Sequence, residues 1–102
     1  MDLNGLMKQA QKMQADIDKQ KRELQTKKFT KSVGGGAVKI EMNGGFEVES
    51  IHLEDELLHP DNKEMLSDLV KLALNELLQT IESEKEKSMA QLSSGVDLSG
   101  LL

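Results

Sequence analysis

Lys8, Lys12, Lys19 and Arg22 recur at intervals of four, seven and three residues. On a helix turning about 100° per residue they fall within an arc of about 80°. They would form one ridge of flexible positive charge, able to neutralise phosphate without reading base edges. A solvated helix face can carry the same residues, so the rest of the charge distribution matters. Residues 1–39 hold nine cations against four acids, whereas residues 40–102 hold four cations against fourteen acids. The net charge of −5 therefore conceals a positive N-terminal part and a strongly negative remainder, and it falls short of the basic balance usual in nucleic-acid binders. The two aromatic residues, Phe29 and Phe46, lie in segments expected to be strands. A base-stacking platform for single strands is not supported, which leaves contact with a duplex backbone.

Other chemistry has less to stand on. His52 and His59 lie near Glu54, Asp55 and Glu56, but metal sites usually draw on i, i+3 or i, i+4 ligand spacing or on thiolates, and the chain has no cysteine. His52 alternates out of an Ile51/Leu53 face, and the acids read as a solvated turn. The glycine triplet at 34–36 lacks a following Lys-Ser/Thr, so it fits a turn better than a phosphate cradle. No Ser/His/Asp set is present. We therefore expect no catalytic residues, no metal, no cofactor and no small-molecule substrate. Without cysteines, a hydrophobic signal segment near Met1–Ala10 or an apolar run of about 20 residues, a soluble protein of the reducing cytoplasm is expected.

The elements that would position the ridge follow from periodicity. Leu3, Leu6, Ala10, Met13, Ile17 and Leu24 follow a three–four spacing that predicts a helix over about 3–28, with a heptad seam broken by Gln20 and Lys27. The four ridge cations fall on its opposite side. Phe29–Val33 reads as a first, weaker strand. Val38, Ile40 and Met42 alternate with polar residues, as do Phe46 and Val48, predicting strands over about 37–42 and 46–53. Side-chain parity favours a three-residue loop, Asn43-Gly44-Gly45, that pairs Met42 with Phe46 and Ile40 with Val48, with a glycine in the left-handed region. The shift of parity at Ile51 and Leu53 then requires a bulge near Ser50.

A second helix is expected over 61–92, opened by Asp61 and Glu64 at capping-box spacing with Pro60 just outside, and a flexible tail over 93–102. From Met65 to Ile81 its apolar residues occupy more than the roughly 100° face that one packing surface needs. One side would cover the sheet and the other the same helix of a second subunit, with Leu69, Leu72 and Leu77 as expected interface residues. Met13, Met42 and Met65 lie on apolar faces and are expected to fill the core rather than to line a plastic groove. The class is α+β, a single domain over 1–102 in the order α-β-β-β-α, with a small antiparallel meander between two long helices.

That order, with Met7-Lys8-Gln9-Ala10-Gln11-Lys12-Met13-Gln14, Gly34-Gly35-Gly36-Ala37-Val38-Lys39-Ile40, a turn glycine at 44 or 45, Glu64-Met65-Leu66-Ser67-Asp68-Leu69-Val70 and Asn75, resembles the YbaB/EbfC family of bacterial nucleoid-associated proteins. The resemblance covers nearly the whole chain. It implies a homodimer formed through the sheet and C-terminal helices, with long helices projecting like tweezers. It also implies a non-enzymatic protein that binds duplex DNA in the nucleoid, alters its conformation and affects gene expression. The family often has Leu-Pro-Gly near its C-terminus, where Leu98-Ser99-Gly100 here carries serine. The resemblance brings no settled set of DNA contacts, so Lys8, Lys12, Lys19 and Arg22 rest on the ridge argument. The competing class is a prefoldin-like holdase or coiled-coil adaptor, which the helix–hairpin–helix order, acidic charge and methionines would also suit.

Overall fold

A computed structural model describes residues 2–95, with the side chains of 92–95 left aside. The order is α1 (Leu3–Thr26), β1 (Lys28–Val33), β2 (Val38–Asn43), β3 (Val48–Leu53), two 3-10 turns (Asp55–Leu58 and Pro60–Asn62) and α2 (Lys63–Gly95). The strands form one antiparallel sheet in the order β1-β2-β3. The fold is α-β-β-β-α, as the alternation predicts.

The sheet's register decides which side chains share a face. Val38 pairs with Val33 and Leu53, Ile40 with Lys31 and Ile51, and Met42 with Phe29 and Val48. Opposed residues point to the same side, so these positions form the inner face. There α2 lies across β1 and β2. Phe29, Val33, Val38, Ile40 and Met42 from the strands pack with Ala73, Leu77 and Ile81 from α2 as the core. The four-residue steps from Ala73 to Ile81 keep those side chains on one helix face.

The three glycines of the β1–β2 turn all have positive φ, a conformation costly for side chains with a Cβ. Turn geometry accounts for the triplet. Gly34 has a second constraint, because an added Cβ would lie 2.8 Å from Leu69 Cδ1.

The second hairpin differs from expectation. Met42 pairs with Val48 and Ile40 with Ile51, because Glu49 forms a bulge between Ser50 and Val48. The bulge lies where the parity shift requires one, but the connection runs from Gly44 to Glu47. Its left-handed residue is Phe46, φ 63°, and neither Gly44 nor Gly45 has positive φ. The turn is held by Asn43, whose Oδ1 accepts the amides of Gly45 at 2.8 Å and Glu47 at 3.1 Å. An asparagine folding back on its own turn holds the connection, and the left-handed position expected of a glycine falls to Phe46.

The helix ends also shift. Thr26 Oγ1 donates to the carbonyls of Arg22 and Glu23, and the chain is extended by Lys28. At the start of α2, Pro60 opens a 3-10 turn and His59 is its N-cap, Nδ1 accepting the Asp61 amide at 3.2 Å. The expected Asp61 cap is not used, since proline at the first helical position moves the entry upstream. Nδ1 also lies 3.5 Å from Asp61 Oδ2, an ion pair that requires a protonated nitrogen. α2 runs to Gly95, three residues past the expected bound at 92. The rest of the expected tail lies outside the described residues.

Candidate nucleic-acid interface

α1 is an arm about 36 Å long at 1.5 Å per residue, and none of its residues is buried. Lys8, Lys12, Lys19 and Arg22 are all exposed. The ridge from Lys8 to Arg22 runs about 21 Å, a length of duplex that carries about 12 phosphate charges. Asp16, Asp18 and Glu23 flank it without closing it, and Asp18 accepts a hydrogen bond from Gln14 Nε2 at 3.0 Å.

Three of the nine N-terminal cations are held in ion pairs within the protein. Lys27 pairs with Glu84 at 3.6 Å, Lys28 with Glu41 at 3.4 Å and Lys31 with Glu76 at 2.7 Å. These three stitch the arm's root and β1 to the rest of the protein. Among the described residues, the four ridge cations form no ion pair within 4 Å. A charge unpaired in the protein is open to an external anion, and the ridge offers four.

The arm meets α2 near its root. Ser88 Oγ donates to Gln20 Oε1 at 2.7 Å, and Ile17, Leu24, Lys85 and Met89 line a cleft between the two helices. Gln20, which interrupts the heptad seam, thus makes a polar contact there. Leu3, Leu6 and Met7 on the arm's outer half remain exposed.

The expected interface leucines separate by location. Leu77 is 2% exposed and belongs to the chain's own core, so it has no surface left for a partner. Leu69 is half-buried against that core and packs at Gly34, whereas Leu72 is 45% exposed. Periodicity shows that α2 has two apolar sides but not which side the sheet occupies. Of the three expected core methionines, Met42 is buried, while Met13 and Met65 are exposed.

A more continuous apolar surface lies along β3. Because α2 covers β1 and β2, Val48 and Ile51 on the inner face of β3 remain 45% and 51% exposed. Glu76 faces β1 through Lys31. Leu78, two residues and about 200° further around the helix, faces the opposite flank. Lys85, one heptad beyond Leu78, sits 4.0 Å from the centre of the Phe46 ring. Phe46, Val48, Ile51 and Leu78 therefore frame one open strip between α2 and the β3 edge. The sequence pattern does not reveal Val48 and Ile51 as surface, because strand alternation marks them as inward-facing, which they are. It does not show that α2 stops short of them.

His52 lies opposite Lys39 on the sheet's outer face. No group of three potential metal-ligating side chains occurs among the described residues, and no described helix is long and apolar enough to cross a membrane.

An α-β-β-β-α chain with an exposed cationic arm defines the class, and comparison with known proteins supplies the family. The profile of the YbaB/EbfC DNA-binding family matches residues 1–96. The chain is 44% identical over 101 residues to a nucleoid-associated protein of Clostridium novyi, covering 99% of this chain and 89% of that one. It is 40% identical over 100 residues to a nucleoid-associated protein of Clostridium acetobutylicum, covering 98% and 89%. A crystal structure of a Helicobacter pylori protein superposes with a TM-score of 0.76 at 23% identity, covering 91% of this chain and 99% of that chain, a likeness of fold. The chain belongs to the YbaB/EbfC DNA-binding family.

Proposed function

We propose that this protein is a nucleoid-associated homodimer that binds duplex DNA through its phosphate backbone, using Lys8, Lys12, Lys19 and Arg22 on α1. The observation that carries the reading is the division of the N-terminal cations: three are held in internal ion pairs, and the four that share the exposed ridge of α1 are among the six that are not. Family membership and the names of the relatives point to the same partner. With no basic recognition motif and no aromatic platform, affinity is micromolar to submicromolar and weakly dependent on sequence. Two ridges per dimer hold DNA in a fixed relation to the protein, which alters its path in the nucleoid and, through that, gene expression. Titration of random-sequence and genomic duplexes tests this. Equal, salt-sensitive binding is expected, and the absence of any low-salt complex would refute it.

The dimer is proposed on the open strip of Phe46, Val48, Ile51 and Leu78. Four large apolar side chains in one patch mark a contact surface, and the β3 edge beside them is an unpaired row of backbone groups. Sedimentation at micromolar concentration should give about twice the 11.3 kDa chain mass. Ile51→Asp, which would desolvate a charge in that contact, should weaken association by about 2–3 kcal/mol and populate monomer. A monomeric parent would refute the dimer. A dimer unaffected by Ile51→Asp would move it to another face, with Leu72 the next residue to test.

A further inference from the structure

The root of the arm rests on one buried glycine. The Gly44 amide donates to the Lys27 carbonyl at 3.0 Å, joining the β2–β3 turn to the residue just beyond α1. A Cβ on Gly44 would overlap the carbonyl oxygen of Leu24, lie 2.6 Å from its carbonyl carbon and 3.3 Å from its Cγ. The obstacle is helix backbone, so a rotamer change cannot relieve it. Gly44 does not have positive φ, which means that its lack of a side chain, rather than its backbone freedom, is what this contact uses. The neighbouring Gly45 is a natural contrast: its added Cβ would meet nothing closer than Asn43 Oδ1 at 3.2 Å.

This contact also accounts for the unusual turn. Gly44 lies against α1, and the left-handed position falls to Phe46, whose ring sits beneath Lys85 of α2. One four-residue connection thus touches the end of α1 through Gly44 and α2 through Phe46. Beyond this joint the arm is held by the Gln20–Ser88 hydrogen bond and the Lys27–Glu84 ion pair, both near its root.

We infer that Gly44 is a positioning residue for DNA contact, setting the direction in which α1 carries its cationic ridge. A side chain there would displace the root, and a lever of about 27 Å from Thr26 magnifies that displacement at Lys8. The DNA part of this inference rests on the proposed function, whereas the arm's direction can be measured without DNA.

The native chain has no cysteine, so Gln11→Cys and Gln79→Cys in the full-length protein allow spin labels to report the angle between α1 and α2. Diluting labelled with unlabelled chains isolates the distance within one protomer. The parent and Gly45→Ala should share one narrow distance distribution, and Gly44→Ala should shift or broaden it. Gly44→Ala should also lower duplex affinity by about tenfold and make the salt slope shallower by about 0.9 for each phosphate that the displaced arm no longer reaches. Gly45→Ala should change neither. If Gly44→Ala does not fold, Leu24→Ala carries the test: it keeps the glycine but removes the side chain packed beside it, and should broaden the distribution. A parent-like distribution in Gly44→Ala, or in Leu24→Ala where the first cannot be used, overturns the assignment. A displaced arm in a protein that binds no DNA even as the parent overturns the DNA reading and supports the mechanical one.

Discussion

Raising monovalent salt from 50 to 200 mM should weaken duplex binding by about four orders of magnitude. Each phosphate neutralised by a lysine or arginine releases condensed counterions, contributing about −0.9 to the slope of log affinity against log salt. In the proposed dimer, four ridge cations on each of two arms would neutralise about eight phosphates, hence a slope near −7. Few binding modes depend on salt so steeply. Recognition through base edges or apolar packing would leave much of the affinity at 200 mM, and a slope near zero would refute backbone contact. A slope near −3.5 would have a specific meaning, that only one arm of the dimer touches DNA at a time. Fluorescence anisotropy with a labelled duplex at several salt concentrations measures the quantity directly. The acidic remainder of the chain sharpens the expectation, because α2 carries Glu82, Glu84 and Glu86 and repels a duplex that leaves the arms.

Local periodicity makes the elements legible. The three–four spacing from Leu3 to Leu24 marks a helix, and the alternation around Val38–Met42 marks the central strand, because one side of each repeats with the geometry of the backbone. The ridge is legible for the same reason. What periodicity does not supply is the lateral placement of α2 over the sheet. Val48 and Ile51 have the same inward parity as the buried Val38 and Ile40, yet they remain open because α2 covers β1 and β2. Leu77 falls to the core and Leu72 to the surface by the same placement. The hairpin departs from expectation because glycine has two uses. Parity assigns Gly44 or Gly45 a left-handed backbone, whereas Gly44 serves as a seat for the Leu24 carbonyl and Phe46 takes the left-handed φ. Only the packing of α1 against a turn far along the chain reveals that. Family resemblance names the partner but not the contacts, and the ion pairs distinguish the cations that hold the fold from those free to meet phosphate.

Changing Lys8, Lys12, Lys19 and Arg22 together to Gln should leave the dimer and its melting temperature nearly unchanged while weakening duplex binding a hundredfold or more. The two halves have different physical sources. Exposed helix positions without ion pairs usually contribute within about half a kcal/mol to stability, and glutamine keeps a strong helix propensity. At the interface with DNA, the same change removes about eight counterion-releasing charges from the dimer and should flatten the salt slope toward zero. Lys85→Gln with Lys87→Gln serves as the control. Those lysines stand among Glu82, Glu84 and Glu86, and Lys85 already lies over Phe46, so their removal should change DNA affinity by no more than a few fold. Changing the internally paired Lys28 and Lys31 should act in the opposite sense, lowering stability by up to about 1 kcal/mol each as exposed ion pairs do and leaving the salt slope intact. Affinity, slope and melting measured on the three variants separate the charges that bind from those that build. If the Lys85/Lys87 pair mattered more than the ridge, the duplex would run along α2, and the arm would have some role other than contact with phosphate.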